Sequence, residues 1–243
     1  MFKKAIRYLY VFTFCWFVGL GTANAARIVI AADDWIFTNR GFSRLPADTA
    51  NFATNVADFL AGGTGGAIHA YSNFQSLTQS SLVNTLNSAG YTYTTGTGIN
   101  FDIDTLSGFD ALFLGNPNLS SEQLGILMEY VDSGGGVYIH GGLGASNPGG
   151  TATAWNPFLN QYGLAFGTDI TGRSGNVAVT SSHSIFDGVS ALYMVNPHTI
   201  TGCCVIATAS DGAPLLAAVP IPAAFWLFVS GIAGIGLITQ RKR

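Results

Sequence analysis

Three short, nearly continuous apolar runs constrain this chain more than any other feature. Residues 27–32 read Arg-Ile-Val-Ile-Ala-Ala, residues 109–115 Phe-Asp-Ala-Leu-Phe-Leu-Gly, and residues 137–140 Val-Tyr-Ile-His. Runs this short, without polar alternation, are the pattern of strands buried on both faces. Such strands need helices on both sides of their sheet, and the segments between them read as helices. Asp48 or Thr49 caps a helix predicted over residues 50–60, with Phe52, Val56, Phe59 and Leu60 on one face. A second is predicted over 77–89, with Leu82, Val83 and Leu86 as its stripe and Gly90 as its stop. The clearest is capped by Ser120 or Ser121, carries Glu122 in its first turn, and turns Leu124, Leu127, Met128 and Val131 inward. Gly134, Gly135 and Gly136 end it.

Further strands are predicted at 67–71, 91–95, 177–179, 192–195 and 205–207, a short helix at 156–162, and a Gly-rich loop at 141–150. Strands alternating with helices give βαβ units and therefore an α/β fold with a mostly parallel sheet flanked by helices. The body, residues 26–216, is one domain by length.

The two ends of the chain are of a different kind. Lys3, Lys4 and Arg7 precede an apolar stretch over 8–20 and the small-residue site Ala23-Asn24-Ala25. That is the layout of a signal peptide, residues 1–25, cleaved after Ala25. At the other end, Val219, Pro220, Ile221 and Pro222 lead into an uncharged run over 223–238, and the chain stops on Arg241, Lys242 and Arg243. At about 1.5 Å per residue the run spans roughly 24 Å as a transmembrane helix, short of a ~30 Å hydrocarbon core, a gap that tilt or local thinning closes. The basic end belongs in the cytoplasm, which puts the body outside. The whole segment, residues 217–243, resembles a PEP-CTERM sorting signal in its VPLPA-type variant, with Ile221 where the commonest form has Glu. That resemblance implies export across the inner membrane of a Gram-negative bacterium that makes extracellular polysaccharide. It also implies transient anchoring, cleavage near Pro222 by an exosortase-type sorting protease, and release to the cell surface or matrix. An ordinary tail anchor is the other reading.

Charge narrows the partners. All thirteen acidic residues lie in the body, against Arg27, Arg40, Arg44 and Arg173 and no Lys, a formal charge of −9. Such a surface has no footprint for phosphate backbones, so nucleic acid is not an expected partner. Cys15 leaves with the signal peptide. Cys203 and Cys204 are adjacent; two buried thiols are the favoured expectation, with a vicinal disulfide or pairing to another chain as alternatives.

In the body, the order of motifs is the strand at 109–115, the capped helix, Gly134-Gly135-Gly136, and the strand ending His140-Gly141-Gly142. His183-Ser184-Ile185-Phe186-Asp187-Gly188-Val189 and a closing segment at 207–214 follow. This order resembles the class I glutamine amidotransferase-like superfamily, in particular its ThuA-like branch, and implies a flavodoxin-like fold. The family's nucleophilic Cys falls on His140, and an imidazole cannot form the thioester that glutaminase chemistry needs. Ser146 lies in the following loop, and His183 is not followed by an acid until Asp187. The resemblance therefore implies the fold and argues against amidotransferase activity.

Ligands of open α/β sheets bind at the carboxyl ends of strands. Asp33, Asp34, Asn116 and His140 end strands there, and His183 could approach from a later loop. This rim suits a divalent metal or a sugar-like ligand. Each residue also has a plain structural role: Asp33 or Asp34 turning the chain, Asn116 before Pro117 in a turn, His140 satisfied by backbone carbonyls. Trp35 and Trp155 are expected in loops, to stack on a sugar or to pack in the core. The glycines at 141, 142 and 144 lack the spacing of a phosphate-binding loop. Two functional readings follow: a non-catalytic envelope or matrix protein associated with exopolysaccharide, and a hydrolase of a carbohydrate or small amide using the Asp/His rim, with or without metal.

Overall fold

The computed structural model describes residues 27–115, 119–142 and 147–220. The expected signal peptide, Asn116, Ser146, Ile221, Pro222, the predicted span at 223–238 and the basic end at 241–243 lie outside the described residues. Among the described residues, no helix is long and apolar enough to cross a membrane.

β1 (Arg27–Ala31) is the strand around which the sheet is laid. It pairs in parallel with β5 (Gly136–His140), Ala31 opposite His140, and antiparallel with β11 (Pro214–Pro220), Arg27 opposite Pro220. β4 (Ala111–Leu114), β2 (Gly66–Tyr71) and β3 (Tyr91–Thr95) extend the parallel block beyond β5, and β10 (Val205–Thr208) flanks β11. The seven-stranded order is β10-β11-β1-β5-β4-β2-β3. Two small antiparallel ribbons complete the β structure, β6 (Leu164–Ile170) with β9 (His198–Gly202) and β7 (Ser174–Ala178) with β8 (Ala191–Val195).

Helices cover both faces, as the continuous apolar runs require. Alternate side chains of β1 enter two separate cores, Val29 and Ala31 one, Ile28 and Ile30 the other. The first core is roofed by α2 (Pro46–Ala61), through Phe52, Val56 and Leu60, and by α4 (Ser80–Ser88), through Leu82 and Leu86. The second is roofed by α6 (Ser121–Asp132), through Leu127 and Val131, and by α7 (Pro148–Leu159), through Trp155 and Phe158. Short helices α1 (Asn39–Arg44), α3 (Gln75–Thr78) and α5 (Ile103–Leu106) fill the connections.

Several expectations are corrected. α2 starts at Pro46, not at residue 50, because Pro fits the first turn, where no backbone N–H is needed. The helix expected over 77–89 is two helices, because Gln79 is extended (φ −75°, ψ 150°) between them. Residues assigned to a Gly-rich loop open α7, where Asn147 Oδ1 accepts the Gly150 N–H at 2.8 Å. The domain boundary placed at Leu216 is passed: β11 runs on through Val219 and Pro220, and Val219 is buried in the second core. Cys203 and Cys204 are not buried thiols; they form a vicinal disulfide, exposed at the tight connection between β9 and β10, with Cys204 at φ 66°.

Two glycines separate close packing from conformational freedom. A Cβ on Gly136 would overlap the Leu60 carbonyl, whose carbon lies 2.8 Å away, whereas a Cβ on Gly125 of α6 meets nothing within 4 Å. Gly136→Ala is expected to lower stability by about 1–3 kcal/mol through overpacking. Gly125→Ala is expected to raise it by roughly 0.5–1 kcal/mol through helix propensity. Paired denaturant titrations of the two variants check this.

Candidate functional site

The carboxyl ends of β1 and β5 lie side by side, and their chains leave toward opposite faces of the sheet, β1 to α2 and β5 to α7. Divergence of this kind opens a crevice at the sheet edge. Asp33 follows β1 at this edge and is buried. Its Oδ1 accepts the Trp35 N–H at 2.8 Å and its Oδ2 accepts the Val195 N–H at 2.5 Å, so one carboxylate both turns the chain and ties β8 to the end of β1. Burial still pushes Asp33 up to about 6, against those two hydrogen bonds. Asp34, equally buried beside that charge, is pushed up to about 8 by desolvation first and by Asp33 second. At neutral pH the pair thus holds one proton on Asp34, whose carboxyl is hydrogen-bonded to Asp33.

His140 faces elsewhere. Its Nδ1 donates to the Gly141 carbonyl at 3.0 Å, which leaves Nε2 to accept from the Ser76 hydroxyl, also at 3.0 Å. The ring occupies the space a Gly115 side chain would need, with Cε1 2.9 Å from the Cβ position. Ser72 closes the same knot by donating to the Gly115 carbonyl at 2.7 Å. Burial lowers His140 to about 4, so it is neutral. Its pairing with Ser76 has the donor order of a Ser–His couple, but Ser76 is fully buried and reaches no cleft. His198 joins this edge from β9: its backbone N–H donates to Ala32 O at 2.8 Å, and its Nδ1 accepts the Gly142 N–H at 3.3 Å. That bond leaves the ring proton on Nε2, which is buried with no partner among the described residues.

The turn set by Asp33 continues into a 3₁₀ turn at Trp35–Phe37 and then α1, where Thr38 caps the helix by accepting the Gly41 N–H at 3.1 Å. This places Trp35, Asn39 and Arg40 along one wall of a cleft of about 410 Å³ that Asp34 also lines. The opposite wall is Phe74, Gln75 and Gln79, brought in by α3 and the break behind it. The Arg40 guanidinium lies 5.8 Å from the Trp35 ring centre and 5.5 Å from that of Tyr193, a cation–π contact with both. Gln79 accepts the Asn39 N–H and donates to Gln75 Oε1 at 3.2 Å, while Asn39 Oδ1 accepts the Ser81 N–H at 3.0 Å.

Of the predicted rim, Asp33, Asp34 and His140 do share the sheet edge, but only Asp34 lines the cleft. Asn116 lies outside the described residues. His183 is not part of the rim. It precedes the 3₁₀ turn Ser184–Phe186, and its ring packs edge-on to Phe59 at 5.5 Å. Phe59 is near the end of α2, where the chain returns to start β2, so His183 sits toward the opposite edge of the sheet. Of the two tryptophans, Trp35 lines the cleft and Trp155 is a core residue. Among the described residues, no group of three or more His, Cys, Asp or Glu side chains is placed to hold a metal ion. Asn39, Arg40, Gln75 and Gln79 were not singled out from the sequence; the Asn following a capping Thr at 38 was the one local signal for that wall.

No family model and no curated protein matches this chain. A solved structure described as "mmIFT52 N-terminal domain" aligns over 63% of this chain and 75% of that one, at 16% identity and a TM-score of 0.43. A likeness that slight carries nothing over to this chain.

The carboxyl pair sets a pH dependence. Asp34 titrates near 8 when folded and near 3.8 as a model group, so the folded state keeps a proton that the unfolded chain has released. Its contribution is therefore present at low pH and lost as pH rises toward 8. Between pH 6.5 and 8 stability is expected to fall with a slope approaching about 1.4 kcal/mol per pH unit. Asp34→Asn, which keeps a donor to Asp33, is expected to flatten that slope. Thermal midpoints of the two proteins across this window check it; parallel curves would refute the assignment.

Proposed function

We propose that this chain is an exported, exosortase-sorted protein of a Gram-negative cell envelope or extracellular matrix. In this reading its body is a flavodoxin-like, amidotransferase-like domain that has given up glutaminase chemistry and serves in binding, in association with exopolysaccharide. The observation that carries the domain reading is His140. At the position of the family's nucleophile stands a neutral, buried imidazole with both ring nitrogens engaged inside the protein. The hydrolase reading needs Asp34 and His140 to converge on one substrate, and the hydrogen bonds of His140 run to Ser76 and Gly141 instead.

The sorting reading rests on the tail and gains a geometric consequence. Because Arg27 pairs with Pro220, a leader ending just before residue 27 and a tail starting just after residue 220 would leave the domain at adjacent points of one sheet edge. Val219 is buried opposite Ile28. A protease that reads Val219, Pro220, Ile221 and Pro222 as extended chain would therefore act before the end of β11 docks, or after it frays.

Two measurements test the proposal. The full-length protein is expected to release no glutamate from glutamine in a coupled assay, and turnover that disappears in His140→Ala would overturn the domain reading. In cells with an active exosortase, mass spectrometry of the mature protein is expected to find a C-terminus near Pro222. An intact Arg243 end would overturn the sorting reading.

A further inference from the structure

The cleft between α1 and α3 lies at the site already described, and this inference rests on reading the body as a binding domain. We propose that this cleft is a subsite for a neutral hexose unit of a polysaccharide, held by Trp35, Asn39, Arg40 and Gln75. Its volume of about 410 Å³ falls within the range of small-ligand clefts, about 300–1,000 Å³. The walls combine two aromatic rings, Trp35 and Phe74, with amide and guanidinium donors. A pyranose needs that combination, an apolar ring face for stacking and hydroxyls for directional hydrogen bonds.

The polar heads are held in place without a ligand. Gln79 accepts from the Asn39 backbone and donates to Gln75, and Asn39 is fixed by Ser81. Those bonds use the oxygens of Asn39 and Gln75 and leave both side-chain NH₂ groups without a partner among the described residues. Arg40 forms cation–π contacts and no ion pair among the described residues. Donors fixed in advance lose little entropy when a hydroxyl arrives.

Charge selects the class of sugar. Among the described residues Arg40 is the one cation at the cleft, the body carries a formal −9, and Asp34 contributes a protonated carboxyl. A polyanionic chain would meet a repulsive field over most of its length. A neutral chain meets none.

The test uses the full-length protein in detergent micelles and a panel of neutral hexasaccharides of gluco, manno and galacto configuration, with oligouronates of equal length beside them. Isothermal titration is expected to detect at least one neutral member. That affinity should change less than twofold between 0.05 and 0.5 M NaCl and should fall at least tenfold in Trp35→Ala and in Gln75→Ala. Glu129→Ala, on the exposed face of α6, which roofs the other core, should leave it unchanged. Gln75 is exposed, so its variant stays informative if Trp35→Ala, which removes the contact with Tyr193, loses its fold. Three results would overturn the proposal: no neutral member binds, binding survives Gln75→Ala, or an oligouronate binds more tightly than every neutral member. Glutamine turnover and the mature C-terminus are measured separately, so failure here is distinguishable from failure of the sorting or domain reading.

Discussion

The double pairing of β1 is the constraint from which the rest of this structure follows. Buried on both faces and hydrogen-bonded on both edges, β1 has no freedom of register. A slip by one residue would exchange Ile28 and Ile30 with Val29 and Ala31 between the two cores, and each core is closed by different helices. The parallel partner β5 then fixes where Gly141 and Gly142 emerge beside Asp33 and Asp34. The antiparallel partner β11 covers what would otherwise be an exposed edge of the central strand. It also brings the two ends of the domain together.

At the carboxyl edge, burial has been met by neutralisation and not by pairing with opposite charge. Among the described residues, no Lys or Arg is hydrogen-bonded or ion-paired to Asp33 or Asp34. Asp33 survives as a carboxylate because two backbone N–H groups solvate it, and Asp34 keeps its proton because burial, and then the charge of Asp33 beside it, disfavour a second carboxylate. His140 and His198 are pushed the same way, toward the neutral ring. Among the described residues, the edge therefore presents hydrogen-bond donors and aromatic surface with one cation, Arg40. A catalytic couple would need a base held near neutral pH and open to substrate. His140, near pH 4 and closed off by Ser76, is neither.

Much of this was written in local sequence. β1, β4, β5 and α6 announce themselves as continuous apolar runs and a capped amphipathic stripe, and the structure has all four. β11 was hidden because Leu215, Leu216, Ala217, Ala218 and Val219 lie against the tail, and small apolar residues between prolines read as a tether. They become a strand because β1 offers an unpaired edge, which is information from two hundred residues away. Asp33, Asp34 and His140 could be placed because each ends a readable strand. His183 could not, because a turn is positioned by the helix it packs against, here through Phe59, and not by its own residues. The Gln75–Gln79 wall likewise depends on a helix break whose partner, Asn39, comes from another part of the chain.

The same register gives the domain a polarity. Residues 27 and 220 meet at one end of β1, and Asp33 and Asp34 follow the other end. At about 3.3 Å per residue, the five residues of β1 alone account for roughly 16 Å of that separation. The Trp35–Gln75 cleft therefore lies beyond the end of β1 opposite to the one where residues 27 and 220 meet. The two chain ends of the domain and the cleft thus occupy opposite ends of the same central strand.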